Sequence, residues 1–108
     1  MKTKTLPMDL SEFEAKASEA ASLLKAMSNE KRLMILCRLG ANESSVSELL
    51  FDINLSQSAL SQHLAVLKER DLVATRRDGQ TIYYRIADPA VGQVIQTLAS
   101  IYCPELLQ

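Results

Sequence analysis

Aromatic residues make up only 5% of this 108-residue chain, which has no tryptophan, one histidine and two cysteines. So few aromatic side chains offer little with which to wall a small-molecule pocket. The chain shows no Ser-His-Asp set, glycine-rich phosphate loop or paired-carboxylate motif. Catalytic residues, an enzyme activity and a cofactor are therefore not expected. There is no signal-peptide pattern, and no apolar run approaches the roughly 18 residues needed to cross a bilayer. The expectation is a cytoplasmic protein with no membrane partner. In a reducing compartment two cysteines are more often thiols or ligands than a structural disulfide. Repeats and low-complexity segments are also lacking, and the length fits one domain over 1–108. A formal net charge of −1 is not the basic excess of a non-specific nucleic-acid binder.

Charge is nonetheless unevenly placed. Residues 9–30 carry Asp9, Glu12, Glu14, Glu19 and Glu30 against Lys16 and Lys25. Residues 57–86 carry Lys68, Arg70, Arg76, Arg77 and Arg85 against Glu69, Asp71 and Asp78. The opening third is acidic and the later segment basic, and a dimer would double that local positive charge.

The basic segment begins in the stretch around which the chain is organised, Ser45 to Arg70. Val46, Leu49, Leu50 and Ile53 give a short helix one apolar face. Asn54-Leu55-Ser56 breaks it, and Ser56 suits the N-cap of a second helix over about 57–70. Leu60, Leu64 and Leu67 make a leucine seam on that second helix, while Ser58, Ser61, Gln62 and Ala65 fall roughly opposite. A merely solvated face usually carries Glu and Lys, which are better helix formers than Ser. Short, uncharged hydrogen-bonding groups are what a helix needs to read base edges in a major groove. The pattern is that of a helix-turn-helix, with Ser56, Gln57, Ser58, Ser61, Gln62, His63 and Lys68 as candidate DNA contacts.

Around this core the chain reads in order. Met1 to Pro7 is polar and expected to fray. A long alanine-rich helix follows to Met27, with Asp9 or Ser11 at its cap, and Ser28-Asn29 breaks it. A second helix, Glu30 to Leu39, has Leu33, Leu36 and Cys37 among its buried candidates, with Gly40 and Asn42 as stops. After Arg70-Asp71 the period changes from 3.6 to 2 over about 72–86, with Asp78-Gly79 as the hairpin signal. This hairpin reads as a wing, with Arg76, Arg77 and Gln80 near its tip placed for phosphate or minor-groove contact; a solvated tip is the alternative. Asp88-Pro89 starts a last helix whose stripe of Val91, Val94, Ile95, Leu98 and Ile101 exceeds what one small domain can cover. A symmetric dimer joining the first and last helices is the simple solution.

The segments LLKAMSNEKRLMILCRL (23–39), VSELL (46–50), LSQSALSQHLAVLKERDLV (55–73) and RRDGQTIYYRI (76–86) resemble the ArsR/SmtB family of bacterial winged-helix repressors. The resemblance covers most of residues 23–86 in the right order. It implies a mainly α winged helix-turn-helix of order α-α-α-α-β-β-α, dimerised through its terminal helices. It also implies an operator of two-fold symmetry and release on sensing an inducer. The family's Cys-x-Cys metal pattern has no counterpart in SVSELLFDI, and Asp88 is followed by no histidine or glutamate before Glu105. No metal ligands are therefore assigned.

The contexts of Cys37 and Cys103 look like the dithiol branch of that family, the SqrR-, BigR- and HlyU-type regulators that respond to persulfides and other reactive sulfur. The resemblance implies that the two thiols lie close together, and that a disulfide or polysulfide bridge between them weakens DNA binding. The residues alone leave another reading open. No basic residue lies one turn from Cys37, and Cys103 sits at a helix C-terminus, where the dipole disfavours a thiolate. Cys37 could simply be a small buried hydrophobe. A metal-responsive repressor using both thiols across a dimer, and an antirepressor that displaces a nucleoid-associated silencer, share the same residues.

Overall fold

Each α-helix begins at a side chain that accepts a hydrogen bond from its own first turn, which satisfies donors the helix cannot. In the computed structural model, which describes residues 8–107, α1 (Leu10–Met27) is capped by Asp9, which accepts from the Glu12 N–H at 2.8 Å. Asn29 caps α2 (Glu30–Ala41), accepting from Lys31 and Arg32. Ser45 and Glu48 form a reciprocal capping box on α3 (Val46–Asp52). Ser56 caps α4 (Gln57–Glu69) through the Ala59 N–H at 3.1 Å. Asp88 caps α5 (Pro89–Tyr102), with Pro89 in its first turn where no donor is lost. A short 3₁₀ turn, Pro104–Leu107, closes the described chain. The expected fraying of Met1–Pro7 lies outside the described residues.

Three strands form the wing rather than the two expected. β1 (Ser44–Ser45) pairs antiparallel with β3 (Thr81–Ile86), which pairs with β2 (Val73–Asp78), so the order is β1-β3-β2. Two residues carry no alternation, so β1 left no periodic trace in the sequence. The observed order is α-α-β-α-α-β-β-α. Two-residue turn Gly79–Gln80 joins β2 to β3, with Gly79 at φ +65°, a conformation glycine adopts without steric cost.

The end of α4 is equally specific. Asp71 has φ +61°, its N–H donates to the Lys68 carbonyl, and the Leu72 N–H donates to the Leu67 carbonyl. This pair of bonds is a Schellman stop, with aspartate where glycine is usual. Leu72 then buries itself and directs the chain into β2.

The core lies where α2, α3, α4 and α5 meet beneath the wing. Ile35, Leu36, Leu49, Leu60, Leu67 and Val91 are wholly buried there. Helix α1 buries only Ala26 and Met27, with Leu23 packed half-buried against the core. The rest of it projects, leaving Leu10, Phe13 and Leu24 exposed, and the described residues span 58 × 32 × 22 Å. Ile101 and Tyr102 at the end of α5 are exposed as well.

Candidate DNA-reading face and thiol groove

The leucine seam of α4 faces inward: Leu60, Leu64 and Leu67 are buried, and this burial fixes which side of the helix looks out. Ser56, Gln57, Ser58, Ser61, Gln62 and Lys68 are all exposed. The Ser56 and Ser58 hydroxyls stand 3.3 Å apart. No acidic residue occupies the first turn of α4, so the partial positive charge of its N-terminus is not neutralised there.

His63 is placed differently from its neighbours. It is half-buried, and its Nδ1 lies 3.5 Å from Nη1 of Arg32 on α2. Burial and the adjacent cation both hold its pKa below the usual imidazole value. The same Arg32 donates from Nε to the Ala26 carbonyl at 2.6 Å, linking the end of α1 to α2 beside the α4 histidine. A second tie runs from Arg70, the last residue of the α4 cap, to the Ser22 carbonyl at 3.1 Å and to the Ser22 hydroxyl. The Arg32–His63 and Arg70–Ser22 contacts join residues 31 and 48 positions apart and so leave no local sign in the sequence.

On the wing, Arg77 and Gln80 are exposed, and Arg77 makes only a 3.4 Å bond from Nη1 to the Gly79 carbonyl. Arg76 is engaged instead. It donates from Nε and Nη2 to the two carboxylate oxygens of Glu43, at 2.9 and 2.8 Å, and its guanidinium lies 4.6 Å from the centre of the Tyr83 ring. The bond from Arg76 holds the Glu43 carboxyl below the ordinary carboxylate range.

Cys37 was expected among the buried residues of α2 but is exposed. The inward face of that helix belongs to Ile35, Leu36 and Leu39, and position 37 turns away from it. Cys103 is the C-cap of α5, also exposed, and both are free thiols. The two line one open groove of about 780 Å³, together with Leu33, Met34, Ile53 and the Arg38–Asp52 ion pair. That pair ties α2 to α3 at 2.5 Å beside the thiols. The apolar surroundings push the Cys37 thiol above its usual pKa, and the neighbouring Cys103 adds to the effect. Among the described residues no group of three or more His, Cys, Asp or Glu side chains is placed to hold a metal ion, and no helix is long and apolar enough to cross a membrane.

Comparison with known proteins gives a consistent answer. Residues 29–75 match the model for bacterial regulatory proteins of the arsR family. The chain is 50% identical over 100 residues to the transcriptional activator HlyU of Vibrio cholerae, covering 93% of each chain. It is 40% identical over 106 residues to the biofilm growth-associated repressor of Xylella fastidiosa, covering 97% of this chain and 93% of that one. The structure of reduced HlyU from Vibrio cholerae superposes with a TM-score of 0.84 at 50% identity, covering 87% of this chain and 99% of the other.

Proposed function

Because the chain belongs to the arsR family, and is thus a DNA-binding transcriptional regulator rather than an enzyme, we propose that it is a homodimeric repressor whose operator binding is switched by bridging Cys37 to Cys103. The observation that carries the switch is the single groove shared by the two thiols.

The dimer is supported by apolar surface that one copy leaves uncovered: Leu10, Phe13 and Leu24 on α1, and Ile101 and Tyr102 on α5. A two-fold partner laid on these helices would bury it. The pair of α4 helices would then meet successive major grooves of a two-fold operator, about 34 Å apart. Ser56, Gln57, Ser58, Ser61 and Gln62 supply short polar groups to base edges, with Lys68, Arg77 and Gln80 available to the backbone, Arg76 able to join them on leaving Glu43, and His63 held against α2.

The inducer in this reading is an oxidant or a reactive sulfur compound. The Cys37 thiolate attacks the outer sulfur of an organic persulfide, and the organic thiolate leaves. Cys103 then displaces hydrosulfide from the Cys37 persulfide, which closes a disulfide; a further sulfur transfer before closure gives a polysulfide bridge. The bridge ties α2 to the end of α5. A coupling of about 1–3 kcal/mol is enough to change operator affinity by about 5- to 150-fold. The name of the 50%-identical HlyU as an activator favours a second reading, in which the same DNA contacts displace a silencer and raise transcription. A metal-responsive switch has less support, since among the described residues no group of three or more His, Cys, Asp or Glu side chains is placed to hold a metal ion.

The test uses a labelled duplex recovered by selection from randomised DNA with the reduced protein. Treatment with an organic persulfide or diamide should weaken binding at least fivefold, while Cys37→Ser should bind and not respond. Intact mass spectrometry counts the sulfur atoms in the bridge. Equal affinity of the wild type in both redox states would refute the switch and leave the DNA-binding assignment standing.

A further inference from the structure

Glu43 stands immediately before β1 and faces the cations of the wing. In the strand register Arg76 pairs with Tyr83 and Ala74 with Arg85, so Arg76, Tyr83 and Arg85 share one face of the hairpin. Tyr83 pairs in turn with Ser45 of β1. Arg76 therefore crosses the Tyr83 ring to reach the carboxylate at the β1 edge of the sheet. Its two bonds to Glu43 use the same planar fork that would grip a phosphate. Arg85 is close enough to influence the Glu43 carboxyl as well. Both members of the pair remain reachable from solvent, with side-chain exposures of 49% and 29%. An exposed ion pair of this kind contributes little to stability, so its main consequence lies in what it does to the charge the wing offers.

We propose that Glu43 is an internal competitor for the DNA backbone: it holds the Arg76 guanidinium in a carboxylate grip that a phosphate must displace. The proposal rests on the reading that the wing approaches the duplex. Non-specific binding depends almost wholly on phosphate contacts, so the grip weakens binding to arbitrary DNA. At an operator, where α4 is seated and a phosphate is held in place, the exchange is local and more favourable. Glu43 thereby sharpens discrimination between operator and bulk DNA without touching a base.

The test measures binding of full-length protein to a random-sequence duplex and to the selected duplex between 50 and 200 mM salt. Glu43→Gln should tighten binding to the random duplex and steepen the log–log salt slope by about 0.9, the value for one added phosphate contact, which is about a fourfold change across that range. The gain should vanish when Arg76→Ala is present in the same chain. Asp78→Asn, which removes equal charge from the wing but no bond to Arg76, should change the slope less. Thermal melting close to wild type shows that the variants are folded. Unchanged or weaker binding by Glu43→Gln, or a gain that persists without Arg76, overturns the proposal. An Arg77→Ala variant separates the two readings. If its slope falls while Glu43→Gln is inert, only the competitor idea fails; if no wing variant alters the slope, the wing reading fails and takes this one with it.

Discussion

Asp71 is the one non-glycine residue with positive φ among the described residues, at +61°. It ends α4 and turns the chain into β2. A left-handed conformation costs an L-residue roughly 1–2 kcal/mol, with aspartate toward the low end because its side chain can bond locally. A carboxylate at a helix C-terminus opposes the dipole by about 0.3–1 kcal/mol. Asp71→Gly removes both penalties but loosens the unfolded chain by about 0.5–1 kcal/mol. The net gain should be about 0.5–1 kcal/mol, a rise in Tm of about 2–8 °C for a domain of this size. Asp71→Ala keeps the steric penalty while also shedding the carboxylate, so it should stay near wild type and about 0.5–1 kcal/mol below Asp71→Gly. The assay is thermal unfolding of the reduced protein by circular dichroism, at one protein concentration because a dimer's Tm depends on it. The gap between the two small substitutions is the diagnostic, since only glycine relieves the left-handed strain. If glycine destabilises, or alanine matches glycine, the strain argument at this position is wrong.

Two other outcomes follow from the same structure. His63 has its pKa depressed by burial first and by the Arg32 cation second, so the folded state favours the neutral ring. Its contribution is present above the unfolded histidine pKa and is lost as pH falls through the lower folded value. Stability of the wild type should therefore decline more steeply than that of His63→Gln as pH drops below about 6.5, read by urea unfolding at several pH values. At the terminal helices, Phe13→Glu with Ile101→Glu places charges on surfaces left bare in one copy. Sedimentation should show a shift toward monomer with unchanged helical content, and operator affinity should fall with it. A dimer of undiminished strength would mean that these helices are not the interface.

Much of the architecture was legible in the residues themselves. The leucine spacing of α4, the Ser56 cap and the Asp88-Pro89 start each depend on neighbours within four positions, and each appears where local pattern placed it. The small polar face at Gln57 to Gln62 is exposed for the same reason, since burying the seam turns the opposite side outward. The misses were of two kinds. Strand β1 is too short for alternation to register. Cys37 reads as core alongside Leu33 and Leu36, yet the buried face runs through Ile35, Leu36 and Leu39, and 100° of helical rotation separates Cys37 from Leu36.

What the sequence determined alone was therefore the set of short-range choices: where helices start, where the hairpin turns, and which helix shows polar atoms. These follow from backbone hydrogen bonding and hydrophobic period, whose reach is a few residues. Tertiary structure alone decided which distant groups meet. Packing of α2 on α5 brought Cys37 and Cys103 to one groove, and pairing of β1 with β3 carried Glu43 to Arg76, 33 positions along the chain. Such meetings depend on how whole elements stack and register, and no local pattern of residues encodes that.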